Sequence, residues 1–310
     1  MIFIIVAAAA LIFLLILWVL YVATFAPMRH LSNNYRCLPK GRHYDMVHDE
    51  IMKHIDELEK LPCEDVTVKS YDGLTLYGRY YEREQKDVIE IDFHGYRGHA
   101  IRDYCAGSKI NSDSGRSSII IEERAHGRSE GKTITFGIRE RYDVLTWVNY
   151  VNERFGPDVK IILAGVSMGA STVLMASGMD LPGNVVAVVA DCPYSSPKEI
   201  ICKVARDKGL NDKLVYPLIK LSAKLFANLD IEEASPVEAV KKSKTPTIIA
   251  HGTDDRFVPY EMGKRVFEEC AAQNKKMLSI EGAGHATSYF TQMDFYVKSL
   301  NEFLDGVLKK

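Results

Sequence analysis

Apolar and polar positions divide the 310-residue chain into stretches of unlike pattern. From Ile2 to Ala26 the side chains are almost wholly apolar, and the first 28 residues carry no charged group. Coiled as a helix this run is about 37 Å long, enough to cross a hydrocarbon core of about 30 Å with some tilt. A cleaved signal peptide is the competing reading. Against it, no Lys or Arg precedes the run, the run exceeds an ordinary signal h-region, and Pro27 follows the only small-residue site, Ala26. A buried core helix would need a polar face, which this run lacks. Residues 1–28 are therefore expected to be a transmembrane anchor.

Residues 29–65 read as a linker and a helix. Met46, Ile51, Ile55 and Leu58 recur near helical spacing between Tyr44 and Leu61, and Pro62 is the stop. Two alternating runs, Val66–Tyr71 and Leu74–Tyr81, flank Asp72-Gly73, a strong hairpin signal. Beyond it, strand and helix patterns alternate. Strands are predicted at Val88–Phe93, Ser118–Glu122, Lys160–Ala164, Val185–Ala190, Thr247–Ala250 and Lys276–Ile280. Most are continuous apolar runs, the pattern of strands covered on both faces. Helices are predicted near Ile101–Ile110, Ile138–Arg154, Met168–Met179, Glu261–Gln273 and Met293–Leu308. A hairpin followed by this alternation implies an α/β domain over residues 66–310, built on one doubly wound, mostly parallel sheet.

Residues 193–244 break the rhythm with two helical patterns and no strand. In the second, Leu214, Leu218, Leu221, Leu225 and Leu229 share one face while Lys213, Lys220 and Lys224 share another. The interval reads as an insertion, either a packing helix of the main domain or a small helical lid over a site.

Composition narrows the classes. Hydrophobic content of 47% and charged content of 26% suit a globular protein with an ample core. A net charge of -2 gives no electrostatic reason to expect nucleic acid. The six cysteines are scattered without a CxxC pair or Cys/His cluster, so neither a metal site nor a disulfide framework is expected. Arg29, Arg36, Lys40 and Arg42 precede the first acid, Asp45, which places the domain on the cytoplasmic side with the amino terminus outside.

Gly165-Val166-Ser167-Met168-Gly169 follows one predicted strand and opens a predicted helix. That context turns the pattern into a nucleophile elbow, with Ser167 lifted clear at a strained turn. The bland alternative is a strand-to-helix turn whose Ser caps the helix. A Ser hydroxyl needs a base, and the base an orienting carboxylate, in the chain order Ser, acid, His for sheet-borne hydrolases. His285, in a small-residue loop after the last strand, fits the base; otherwise it is a surface-loop His. For the acid, Asp255 leads, with Asp254 and Asp191 as alternatives. Arg97 and Arg256 are candidates to meet an anionic group near the site, or ordinary solvated loop arginines. An oxyanion hole would use the amide of Met168 and that of Tyr96, after the Val88–Phe93 strand; such donors contribute about 3–4 kcal/mol to transition-state stabilisation.

Other patterns carry less. Gly127-Arg128-Ser129-Glu130-Gly131-Lys132-Thr133 is one residue short of a phosphate loop, and neither GxGxxG after the first parallel strand nor HExxH occurs. Cys192 reads as a buried structural thiol.

His94-Gly95, Arg124–Gly131, Gly165–Gly169, His251–Pro259 and Gly284-His285 together resemble the α/β-hydrolase superfamily over roughly Val66 to Leu308. The likeness is to its serine-aminopeptidase, monoacylglycerol-lipase and lysophospholipase-like branch, with a helical cap after the sixth core strand. The resemblance implies Ser167 as nucleophile, Asp255 as acid, His285 as base, and the Tyr96 and Met168 amides as oxyanion hole. Position 125 is Ala where the family often has Gly. The expectation is thus a membrane-anchored serine hydrolase of carboxylic esters, needing no cofactor, with a small acyl ester, lipid or peptide as substrate. A peptidase or aminopeptidase on the same scaffold is the alternative, and a non-catalytic membrane-tethered binding protein a third.

Overall fold

A computed structural model describes residues 1–28 and 34–309. Arg29, one of the four cations used to orient the chain, and Lys310 lie outside the described residues. The helices are α1 (Ile2–Phe25), α2 (Arg42–Lys60), α3 (Ala100–Asp113), α4 (Glu140–Phe155), α5 (Met168–Ser177), α6 (Pro197–Asp207), α7 (Asp212–Ala227), α8 (Pro236–Val240), α9 (Tyr260–Glu269), α10 (Ser288–Thr291) and α11 (Met293–Leu308). The strands are β1 (Glu64–Lys69), β2 (Thr75–Tyr81), β3 (Gln85–Phe93), β4 (Arg116–Glu122), β5 (Lys160–Val166), β6 (Val185–Asp191), β7 (Thr247–Gly252) and β8 (Lys275–Ile280).

All eight strands form one sheet in the order β1-β2-β4-β3-β5-β6-β7-β8. β1 and β2 pair antiparallel through the turn at Gly73, which has φ 88°, and β2 meets β4 antiparallel. The remaining neighbours are parallel. The continuous apolar runs are explained by two cores. Ile119, Ile121, Ile161 and Leu163 face Trp147 and Val173 on one side; Ile120, Ile162 and Ala164 face α2, α3 and α11 on the other. With a period of two, a strand covered on both faces has no polar position left to alternate.

Between β6 and β7 lie α6, α7 and α8. The face of α7 differs from the leucine stripe as an inward face. Tyr216, Ile219, Ser222 and Ala223 are buried, whereas Leu214, Leu221 and Leu225 are exposed. Leu229, assigned to the same stripe, lies past the helix end at Asn228 and is buried in the cap. Amphipathic spacing identifies two faces but not which one turns inward, and here the face with Tyr216, Ile219, Ser222 and Ala223 packs on the domain. α7 lies along α1.

α1 is exposed over most of its length but not at its end. Phe25 is fully buried and packs edge-on against Phe136, and Tyr21 leans tilted against Phe226 of α7. The Phe25 carbonyl accepts from Ile134 N–H at 2.8 Å, and the Tyr21 and Thr133 hydroxyls are 2.6 Å apart. The last turns of the apolar helix are thus built into the domain.

Close packing at the elbow sets a sharp stability contrast. A Cβ on Gly169 would lie 1.8 Å from the Phe93 carbonyl oxygen, whereas Gly306, exposed on α11, has nothing within 4 Å. Gly169→Ala is expected to destabilise by about 3 kcal/mol or more, and Gly306→Ala to stabilise by about 0.5–1 kcal/mol. Urea denaturation of both variants checks this; equal midpoints would contradict the packing described.

Candidate active site

Ser167 sits between β5 and α5 with φ 56° and ψ -110°, a left-handed conformation that costs a non-glycine residue about 1–3 kcal/mol. The flanking glycines make it possible: a Cβ on Gly165 would fall 2.3 Å from the Gly169 carbonyl carbon. The Ser167 N–H donates to the Asp191 carbonyl at 2.8 Å, and its carbonyl accepts from Ser171 N–H. Its hydroxyl makes no helix-capping bond. Instead Ser167 Oγ lies 3.0 Å from His285 Nε2.

His285 Nδ1 lies 2.7 Å from Asp255 Oδ2. With Nδ1–H donating to that carboxylate, Nε2 is left as the acceptor that faces the serine hydroxyl. Asp255 Oδ1 accepts from the amides of Phe257 at 2.9 Å and Val258 at 2.8 Å. Burial would push the Asp255 carboxyl up, but His285 and His251 beside it outweigh that and hold it below the usual carboxylate range. The Phe257 ring leans on His285 at 4.9 Å between centroids. The three side chains therefore form one hydrogen-bonded line, able to pass a proton from Ser167 to the imidazole while Asp255 stays charged.

The two alternative acids are elsewhere. Asp254 is 59% exposed and faces His43 at 4.0 Å. Asp191 accepts from Ser288 Oγ at 3.0 Å and Tyr296 Oη at 3.3 Å, and burial raises it to about 6. His251 ends β7 as a fully buried residue whose Nε2 lies 2.9 Å from the Val258 carbonyl, bracing the loop that carries Asp255. Cys192 joins the same knot: its sulfur and one atom each of Asp255 and His285 fall within 4.8 Å of one another. Burial pushes this thiol well above its ordinary value, so it packs as a neutral group.

The turn after β3 passes directly over the serine, since a Cβ on Gly95 would lie 3.5 Å from Ser167 Cβ. Sequence pattern did not reveal what shapes this turn. Asp103 Oδ2 accepts from Gly95 N–H at 2.9 Å. His94 Nε2 accepts from Glu123 N–H at 3.1 Å, and its Nδ1 faces the Gly95 carbonyl. His126 Nε2 accepts from Arg97 N–H at 3.0 Å. Both histidines lie in motifs that stand out in the sequence, but Asp103 carries no such signal. Among the described residues, Arg97 makes no ion pair with an acidic side chain. Its guanidinium donates to the Val22, Ala23 and Ala26 carbonyls at the end of α1, and Tyr96 Oη donates to Thr24 O at 2.8 Å. Arg256 is exposed.

The near-match to a phosphate loop is occupied by the protein itself. Glu122 Oε2 accepts from Arg128 N–H at 2.5 Å and sits where a Cβ on Gly127 would be. Ala125, where the superfamily often has Gly, takes φ 63°, the conformation that favours glycine.

A cavity of about 300 Å³ opens at Ser167. Phe136 and Tyr194 line it from the main domain, Ile200, Ile201 and Ile219 from the insertion, and Leu20, Ala23 and Thr24 from α1.

The chain belongs to the prolyl oligopeptidase family, whose model matches residues 135–310. With the fold and the relatives, this places it in the α/β-hydrolase superfamily, as the motifs imply. The uncharacterized protein YqkD of Bacillus subtilis (strain 168) is 28% identical over 196 residues, 63% of this chain and 64% of that one. Lysophosphatidylserine lipase ABHD12 of Danio rerio is 26% identical over 251 residues, 74% of this chain and 62% of that one. The matches thus span just under two thirds of either relative's length. Among solved structures, the Pyrococcus furiosus esterase Pf2001 superposes with a TM-score of 0.65 at 22% identity, over 81% of this chain and 95% of that one. The Pyrococcus horikoshii acylaminoacyl peptidase does so with a TM-score of 0.59 at 18% identity, over 82% and 43%. These two are likenesses of fold.

The geometry separates the two neighbouring aspartates. Asp255→Asn is expected to slow the reaction of Ser167 with a fluorophosphonate by roughly three to four orders of magnitude, and Asp254→Asn to leave it unchanged. Labelling rates followed by gel fluorescence check this; equal losses would contradict it.

Proposed function

We propose that this member of the prolyl oligopeptidase family is a membrane-anchored serine hydrolase of carboxylic esters. Ser167 Oγ attacks the ester carbonyl carbon, and its proton passes to His285 Nε2. The alkoxide leaving group takes that proton as the carbonyl–oxygen bond breaks, which leaves an acyl-Ser167. Water then attacks the acyl carbon, giving its proton to His285, which returns it to Ser167 Oγ as the acyl–oxygen bond breaks and the acid leaves. Asp255 orients the imidazole and offsets its positive charge. The amides of Met168, at the start of α5, and Tyr96 hold the oxyanion; among the described residues neither donates elsewhere in the protein.

The observation that carries the ester reading is the apolar cavity meeting Ser167, walled largely by Leu20, Phe136, Ile200, Ile201, Val215 and Ile219. Such a wall gains free energy from an acyl chain, about 0.8 kcal/mol per buried methylene, and gains little from a polar peptide backbone. One relative is named as a lipase, which is in keeping with it. The second reading, peptide hydrolysis, draws on the family's own description and is the competitor to test.

Anchoring rests on α1, 24 residues long, free of charge and almost wholly apolar, whose end is bonded into the domain rather than left free for cleavage. The outward leucines of α7 extend the apolar surface beside it, and Lys213 and Lys224 are exposed on the same helix. The insertion over residues 193–244 serves as the lid of the cavity. Arg29, Arg36, Lys40 and Arg42 set the domain on the cytoplasmic side.

Full-length protein in detergent is expected to hydrolyse p-nitrophenyl esters far faster than aminoacyl-anilides, with both activities absent in Ser167→Ala. Faster cleavage of the anilides would overturn the ester assignment. Protease added to intact spheroplasts is expected to leave the domain whole; its digestion from outside would refute the orientation.

A further inference from the structure

The apolar amino-terminal helix does more at its end than hold the protein. Leu20, Ala23 and Thr24, on its last two turns, line the cavity that contains Ser167. They stand together with Val204 and Ile219 of the inserted helices and Phe136 of the main domain. The helix end is fixed there by bonds of several kinds. Arg97 donates to three of its terminal carbonyls, Tyr96 Oη donates to the Thr24 carbonyl, Ile134 N–H donates to the Phe25 carbonyl, and the Phe25 ring is fully buried. Two of these partners, Tyr96 and Arg97, belong to the turn that passes over Ser167.

We propose that the last two turns of α1 are the acyl-chain wall of the active site, so that one helix is both anchor and specificity determinant. The substrate class is an ester with one extended acyl chain, whose carboxyl carbon lies at Ser167 and whose tail runs between α1 and the inserted helices α6 and α7. The argument is geometric. The cavity narrows or widens with the side chains at positions 20 and 23, and a tail lying there is drawn from the apolar surface that α1 and α7 share. A helix whose only task was tethering would need neither the Arg97 cap nor side chains in the cavity. This inference rests on the reading of Ser167 as an ester-cleaving nucleophile.

The test uses the full-length protein in detergent micelles with p-nitrophenyl esters from butyrate to palmitate. Ala23→Trp fills the cavity from the α1 side, and Leu20→Ala enlarges it. Val19→Trp, on the exposed side of the same helix and outside the cavity, is the control. Ala23→Trp is expected to lower the ratio of kcat/KM for decanoate to that for butyrate by roughly tenfold or more. Leu20→Ala is expected to move the optimum to longer chains, and Val19→Trp to leave the wild-type profile. Should Ala23→Trp fail to fold, the Leu20→Ala profile decides alone. A wild-type protein active on esters whose chain-length profile is the same in Leu20→Ala overturns the inference and leaves the esterase reading standing. A wild-type protein that cleaves none of these esters overturns both.

Discussion

The structure depends on one close approach. β5 and α5 meet so tightly at Gly165 and Gly169 that no side chain fits at either position, and the chain can turn between them only by placing Ser167 at φ 56°. That strained turn puts the hydroxyl above the carboxyl edge of the sheet, where loops after β3, β7 and β8 converge. Strain of about 1–3 kcal/mol at one residue persists because the surrounding contacts are buried and numerous. Phe93, Ala164 and Ala170 all pack with little or no exposed surface. The same contacts bring Gly95 over the serine. The position of Ser167 and that of the turn above it are therefore consequences of one packing constraint at the middle of the sheet.

The parts of this arrangement differ in how far the sequence displays them, and the physical reasons differ too. Strands such as Lys160–Val166 are legible because burial on both faces demands an unbroken apolar run. Ser167 and His285 are legible because a strained turn and a small-residue loop leave their own spacing. Asp254 and Asp255 are adjacent, so composition and spacing cannot separate them. What separates them is which carboxylate meets the amides of Phe257 and Val258. Asp103 holds the turn above Ser167 through a contact eight residues away in the chain, which no local pattern records; His126 lies in a visible motif, but its bond to Arg97 N–H does not show in the sequence. The leucine stripe of α7 is visible in its period, but a period alone does not say which face turns inward. The docking of α1 is hidden for the opposite reason: an apolar run without periodicity gives no hint that its last turns pack on protein. Tyr21 and Thr24 are the only polar side chains there, and both positions bond to the domain.

This coupling gives the molecule its character. In many proteins a flexible linker would separate an apolar helix from the domain that follows. Here Arg97 caps the helix, Phe25 is buried beneath Phe136, and the cavity at Ser167 includes α1 in its wall. The exposed leucines of α7 lie alongside. On the proposed reading, the apolar side chains of α1 and α7 lie beside the cavity that opens at Ser167 and offer an acyl chain a way in.

The central claim is that Ser167 carries the acyl group. Rapid mixing with a p-nitrophenyl ester, acid quench and peptide mapping by mass spectrometry test it most directly. The account predicts a stoichiometric burst of p-nitrophenol and the acyl mass on the peptide that contains Ser167. No burst, or an acyl group on another residue such as the neighbouring Cys192, would contradict it.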